Sequence, residues 1–262
     1  MAFLLRFTVV PVAADPTDAN NSPSALMATG NSQFQQSRYA DALRSYREAL
    51  ALYQQSGDTD GEAKALLQIG IVQVNVSGYA DAFQTEQQAL ALFQQQNDRV
   101  EEARTFLMIG FLQYGQRHAD AALGSFEQAL ALFRHLGDRD GEARALNDIG
   151  AAQAHLNQYS AALESFQQAL AIDQQLGHLD AEAQNLFGRG NVQVLLGRLS
   201  DAMLSYQQAL TLFEQVGDER SAAMAARNIK NTQALMSPPP SPSPHPSPTA
   251  SDTESVTHRQ IL

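Results

Sequence analysis

Six histidines, His118, His135, His155, His178, His245 and His258, are the first side chains to ask for chemistry. No two of them stand one helical turn apart, and none shares a metal-ligand spacing with another. They read as solvated or turn residues. There is no cysteine, which excludes disulfides, thiolate zinc sites, iron–sulfur clusters and cysteine nucleophiles. Gly188-Arg189-Gly190 contains a GxG, but it lies inside a helical pattern and follows no strand, so it fails as a phosphate loop. Glu101-Glu102 falls at a helix start, where the macrodipole favours acids. No nucleophile–base pair can be built from spacing. The chain is expected to be no enzyme, with no cofactor and no metal. What remains is a ladder of cations, Lys64, Arg104 and Arg144, each 40 residues from the next. It has two readings. One is attraction for an acidic peptide; the other is local pairing, since Asp60–Lys64 and Asp140–Arg144 are i,i+4 pairs in the favourable order.

The elements that would hold such a ladder are strongly patterned. Of 262 residues, 44% are apolar and 17% charged, a globular composition. Acids outnumber bases 28 to 17, for a net charge of −11, and the only lysines are Lys64 and Lys230. Such a surface repels nucleic acid. No apolar run reaches the length of a membrane span.

Between Pro23 and Pro238 there is no proline, and the segment repeats with a period of 40. Gly30, Gly70, Gly110, Gly150 and Gly190 form one column, Ala42, Ala82, Ala122, Ala162 and Ala202 a second, and Ala49, Ala89, Ala129, Ala169 and Ala209 a third. An aromatic column runs Tyr46, Phe126, Phe166, Tyr206, broken by Glu86. A repeat of this length predicts a solenoid. Each period reads as two helices, the second closing at Gly57, Asn97, Gly137, Gly177 or Gly217, the residues a left-handed C-cap requires. Thr59 with Glu62, and Asp98 with Glu101, read as caps of the following helices. Ser22-Pro23 reads as the first N-cap with proline at N1. The glycines are expected to admit a partner helix at close range, against the alanine columns. Ser221–Met236 continues the pattern with Lys230 in the glycine place, as a terminal cap with no second helix.

These columns resemble the tetratricopeptide repeat (TPR) family over about 22–236. The proline usual after the second helix is replaced by a Gly-Asp turn, as in Gly57-Asp58, Gly137-Asp138 and Gly217-Asp218, which looks like the longer-repeat subclass of kinesin light chains and bacterial peptide-sensing regulators. The resemblance implies an all-α, right-handed solenoid of five helix pairs plus a C-terminal capping helix. It also implies a concave wall of first helices that binds peptides. Opposite the glycine seam, that wall carries Lys64, Leu67, Ile71 and Val74, then Arg104, Leu107, Phe111 and Tyr114, then Arg144 and Asn147, then Phe187 and Asn191. A carboxylate clamp of the chaperone-tail type is not expected. Asn31 matches one clamp position, but Met27 stands where a lysine belongs.

The expected function is a non-enzymatic scaffold or adaptor that binds a protein or peptide segment of acidic and apolar character in this groove, with the chain a monomer or weak homo-oligomer. The alternative is a peptide-responsive signalling regulator, which would usually carry an effector domain larger than residues 1–21. Met1–Ala14 is apolar and ends in small residues, so the leader is signal-like or disordered, and the expected compartment is the cytoplasm, with export as the alternative. Residues 237–262 hold seven of the ten prolines in a Ser-Pro run and read as an extended disordered tail. Two column breaks stand out. Asp173 replaces an aromatic (Tyr53, Phe93, Phe133, Phe213) and Arg189 replaces an isoleucine (Ile69, Ile109, Ile149, Ile229), which has two readings: a compensating ion pair, although a straight hairpin sets the two about five residues out of register, or local softness at Gly188–Gly190, the commoner cause.

Overall fold

The computed structural model describes residues 22–76 and 78–237. The leader and the Ser-Pro tail lie outside the described residues. Eleven α-helices and no strand are found among the described residues: α1 Pro23–Gln35, α2 Tyr39–Ser56, α3 Thr59–Val76, α4 Tyr79–Gln96, α5 Arg99–Gly115, α6 Ala119–Leu136, α7 Arg139–His155, α8 Tyr159–Leu176, α9 Leu179–Leu195, α10 Leu199–Val216 and α11 Glu219–Met236. Helix packs on helix in chain order, giving five antiparallel pairs and a final single helix. Successive first helices also touch, α1 with α3, α5 with α7, and α7 with α9. Closer contact between first helices than between second helices is what curves a solenoid, and it puts the first helices on the inner wall.

The punctuation is local chemistry. Ser22 caps α1 by accepting from the Ala25 N–H, with Pro23 at N1. Gly57, Asn97, Gly137, Gly177 and Gly217 all sit in the left-handed region, with φ between 56° and 79°. The N-caps differ from expectation in one place. Asp58, not Thr59, caps α3, accepting from the Gly61 N–H at 2.9 Å. Glu62 then reaches back to Gln54 instead of closing a capping box. Asp98, Asp138 and Asp218 cap α5, α7 and α11 in the same way as Asp58. Each such cap stabilises its helix by about 1 kcal/mol.

The glycine column works differently from a plain backbone approach. A Cβ on Gly110 would lie 2.5 Å from the Phe126 ring, and one on Gly30 or Gly190 would strike Tyr46 or Tyr206 in the same way. Glycine is there to admit the aromatic side chain itself, not chiefly the alanines. Those alanines are fully buried and let the paired helices close around the ring. Each buried ring contributes about 2–3 kcal/mol of apolar burial. In the second repeat the ring is missing, and the carboxylate of Glu86, 0% exposed, faces Gly70. Lys230, in the glycine place of α11, is exposed, as a cap with no following helix allows.

A second column is polar. Ser45, Ser125, Ser165 and Ser205 each donate to Gln33, Gln113, Gln153 and Gln193 across a helix pair, at 2.7–2.8 Å. These bonds tie first helix to second and contribute about 0.5–1.5 kcal/mol apiece.

Candidate functional site: the first-helix wall

The wall residues fall into three groups. Lys64, Arg104 and Arg144 are exposed, and each is held by an acid of its own helix: Lys64 Nζ to Asp60 at 2.7 Å, Arg104 to Glu101 at 2.6 Å, and Arg144 to Asp140 at 3.0 Å. The hydrogen bond from Lys64 to Asp60 raises the Lys64 pKa. The ladder is therefore locally compensated. Exposed pairs of this kind are worth about 0.3–0.5 kcal/mol, and they leave little uncompensated positive field.

Leu67, Ile71, Val74 and Leu107 are half-buried. Leu67 and Leu107 lean on the core clusters beneath them. Phe111 and Tyr114 stand out of the wall, 49% and 36% exposed. Phe111 meets Tyr79 edge-on, ring centroids 6.1 Å apart, and Tyr114 meets His155 at 5.7 Å. Gly115 lies under Tyr79, where a Cβ would come within 2.9 Å of the ring. These rings form an apolar, aromatic shelf toward the C-terminal end of α5, and Val76, also exposed, ends α3 three residues before Tyr79. Tyr79 and Val76 escaped the sequence reading because neither lies on the face chosen from helical spacing.

The last two wall residues are structural. Phe187 is half-buried against Tyr206 and Phe213, at 5.6 and 6.4 Å, and packs into the core of the last repeat. Asn191 accepts from the Tyr206 hydroxyl at 2.8 Å and from Asn228 at 3.2 Å. Asn31 does the same for Tyr46.

Between α7 and α9 the wall opens into a cavity of about 410 Å³. Its lining includes Leu107, Arg144, Asn147, Gln184 and four aspartates, Asp140, Asp148, Asp173 and Asp180. Asn147 donates to Asn185 Oδ1 at 2.8 Å, and Asn185 donates to Asp173 Oδ2 at 2.7 Å, a polar chain across the floor. Asp173 is 1% exposed, and its Oδ1 has no hydrogen-bond partner. His178 stands at the rim with Nδ1 3.3 Å from Asp140 Oδ1 and 3.9 Å from Asp173 Oδ1. Burial pushes the Asp148 carboxyl up to about 7 and the Asp173 carboxyl up to about 6, against the opposing pull of Arg144 and His178 respectively.

The suggested pairing of Asp173 with Arg189 is not formed. Arg189 instead donates to Ser205 and Gln167, and it is not among the residues that line the cavity with Asp173. The five-residue offset between the two positions in the hairpin explains it. The sequence flagged Asp173 as a column break, but it gave no signal that Asp148, His178, Asp180 and Asn185 converge there.

A family model of the tetratricopeptide repeat matches residues 23–95 and 101–175, more than half of the chain. Among curated proteins, none matches the sequence. Solved structures of similar fold include the apo form of RapI, 16% identical with a TM-score of 0.71, covering 82% of this chain and 63% of that one. Aspartyl phosphate phosphatase F from Bacillus subtilis is 14% identical with a TM-score of 0.69, covering 82% and 59%. The Rap conjugation gene regulator of plasmid pLS20, solved with a Phr peptide, is 15% identical with a TM-score of 0.63, covering 88% and 68%. The chain thus spans about six tenths of the length of the first two. Among the described residues no helix is long and apolar enough to cross a membrane, and no group of three or more His, Asp or Glu is placed to hold a metal ion. Repeat period, helix pairing and matching model agree, and the chain belongs to the tetratricopeptide repeat family.

Proposed function

We propose that this chain is a non-enzymatic interaction scaffold that binds a peptide or extended protein segment along its first-helix wall. The observation that carries the reading is the exposure of Phe111 and Tyr114 on the same wall as an open cavity that polar side chains line. Aromatics clustered on an inner surface are costly in water unless a partner covers them, and the cavity supplies hydrogen-bonding groups that orient a backbone. The partner is better described as apolar than as acidic, because Lys64, Arg104 and Arg144 already have their own acids.

The test is a selection of random peptides on the full chain, followed by binding to Phe111→Ala/Tyr114→Ala. Truncated aromatic anchors typically weaken binding by about 2 kcal/mol or more, some thirtyfold. Helicity and melting should stay near wild type, since neither ring fills the core. Glu164→Lys, on an exposed face of α8, should leave binding unchanged. A second reading, in which a bound peptide reshapes the solenoid to signal, draws support from the pLS20 regulator, which shares this fold and was solved with a peptide. It requires a change in small-angle scattering when a selected peptide binds.

A further inference from the structure

The cavity between α7 and α9 lies where the ring column breaks at Asp173. In the four other repeats the equivalent of Asp173 is a buried or half-buried ring, Tyr53, Phe93, Phe133 or Phe213. Tyr53 and Phe133 cover Gly61 and Gly141 so closely that a Cβ there would come within 2.3 Å of the ring. In the fourth repeat an aspartate takes the ring's place and Ala181 takes the glycine's, and the volume left over opens to the inner wall.

An aspartate is a poor filler for that space. Burying a carboxylate whose oxygen lacks a donor costs several times a neutral hydrogen bond. Only Oδ2 of Asp173 is served, by Asn185. Oδ1 has no hydrogen-bond partner, and the His178 ring nitrogen stands 3.9 Å from it, beyond hydrogen-bond reach. That nitrogen lies between two carboxylates, Asp173 and Asp140. Facing the same space are Asp148 and Arg144 from α7, and Asp180 from α9. Arg144 is taken by Asp140, so the acids outnumber the bases. The His178 side chain is 41% exposed and sits at the junction of α8 and α9.

We infer that this cavity is a subsite for the cationic side chain of a basic residue, arginine above lysine, in the bound segment, with the His178 imidazole holding the cation's place until that segment arrives. A guanidinium presents planar donors to two carboxylates at once, and Asp140 and Asp173 both face the His178 nitrogen. It would bring Oδ1 the donor it lacks. Phe111 and Tyr114 would take the apolar residues of the same segment. The inference rests on the proposed function for its biological meaning, though not for its test.

The probe is Nα-acetyl-arginine amide, with Nα-acetyl-citrulline amide as the uncharged isostere, titrated into the full chain at pH 7.5 and low salt. The side-chain amide signals of Asn147 and Asn185 report the site, and those of Asn191 and Asn228 serve as the internal control. The arginine probe is expected to shift the first pair at millimolar concentration, and the citrulline probe to leave them unmoved. Asp173→Asn keeps the acceptor for Asn185 but loses the charge, and should weaken binding at least tenfold. His178→Ala removes the built-in competitor and should tighten it severalfold. Equal shifts from citrulline, no shift up to 100 mM arginine probe, or unchanged binding by Asp173→Asn would each overturn the inference. Should Asp173→Asn fold poorly, the citrulline comparison on the wild type and the direction of the His178→Ala effect decide alone. A positive arginine result beside a failed peptide selection would sink the scaffold reading and leave the subsite standing; the reverse pattern would do the opposite.

Discussion

Glu86 is the sharpest place to perturb this fold. It occupies the aromatic position of the second repeat, is 0% exposed, and neither carboxylate oxygen has a hydrogen-bond partner. Burial pushes its carboxyl up from 4.5 to about 8. The folded state therefore holds a proton that the unfolded chain releases, and stability contributed by the neutral acid is lost as pH rises from 4.5 toward 8. The loss amounts to about 3 kcal/mol at pH 7 and on the order of 4 kcal/mol at pH 8. Glu86→Gln removes the titration but leaves a buried amide, so its absolute stability carries a pH-independent offset. The informative quantity is the gap between the variant and the wild type, followed by urea unfolding from pH 5 to pH 8. That gap should widen by about 3 kcal/mol in favour of the variant. Glu86→Phe should go further. It places a ring against Gly70, as Phe126 lies against Gly110, and should be more stable than wild type throughout. A gap that stays constant with pH, or a carboxyl carbon signal of Glu86 that titrates near 4.5, would refute the reasoning.

Three further outcomes follow from the seams. Gly110→Leu drives a side chain into the Phe126 ring and should cost about 3 kcal/mol or more, whereas Lys230→Leu on the exposed side of α11 should change the melting temperature little; equal losses would contradict the column. Ser205→Ala strips a donor from Gln193 and an acceptor from Arg189, and should cost about 1–3 kcal/mol by chemical denaturation. Asp138→Ala removes the cap on the Gly141 N–H and should cost about 1 kcal/mol, with faster amide exchange confined to the first turn of α7.

Most of the fold was legible because its signals are periodic. Five glycines and ten alanines at a spacing of 40 identify the seam without any coordinates, and left-handed glycine or asparagine closes each second helix as its residue type demands. What the glycines face was misread. Spacing shows that something must approach closely, but only the structure shows that it is the ring of Tyr46, Phe126 or Tyr206. Two tight links were missed outright, at Ser37 and Arg117, where φ is 60° and 66° without glycine. Nothing in those residue types announces it; the helix pairs on either side impose the turn.

The site was less legible, for a physical reason. Helical spacing assigns a face, and Lys64, Arg104, Arg144, Phe111 and Tyr114 are exposed where that face put them. It cannot tell a free side chain from one that a neighbouring repeat has taken up. Phe187 and Asn191 share the same spacing yet are held by Tyr206, Phe213 and Asn228, through contacts with later helices. The cavity has the same character. Asn147 and Asn185 are 38 residues apart and Asp173 belongs to the intervening helix, so only the stacking of repeats brings them together.

The central claim is that the inner wall of first helices receives a peptide across Phe111 and Tyr114. Its most direct measurement places a photo-reactive benzoylphenylalanine at position 111 in one variant and at position 164 in another, each mixed with a peptide selected on the full chain. The account predicts cross-linking from position 111, abolished by excess unlabelled peptide, and none from position 164. Cross-linking from position 164 alone, or from both with equal yield, would contradict it.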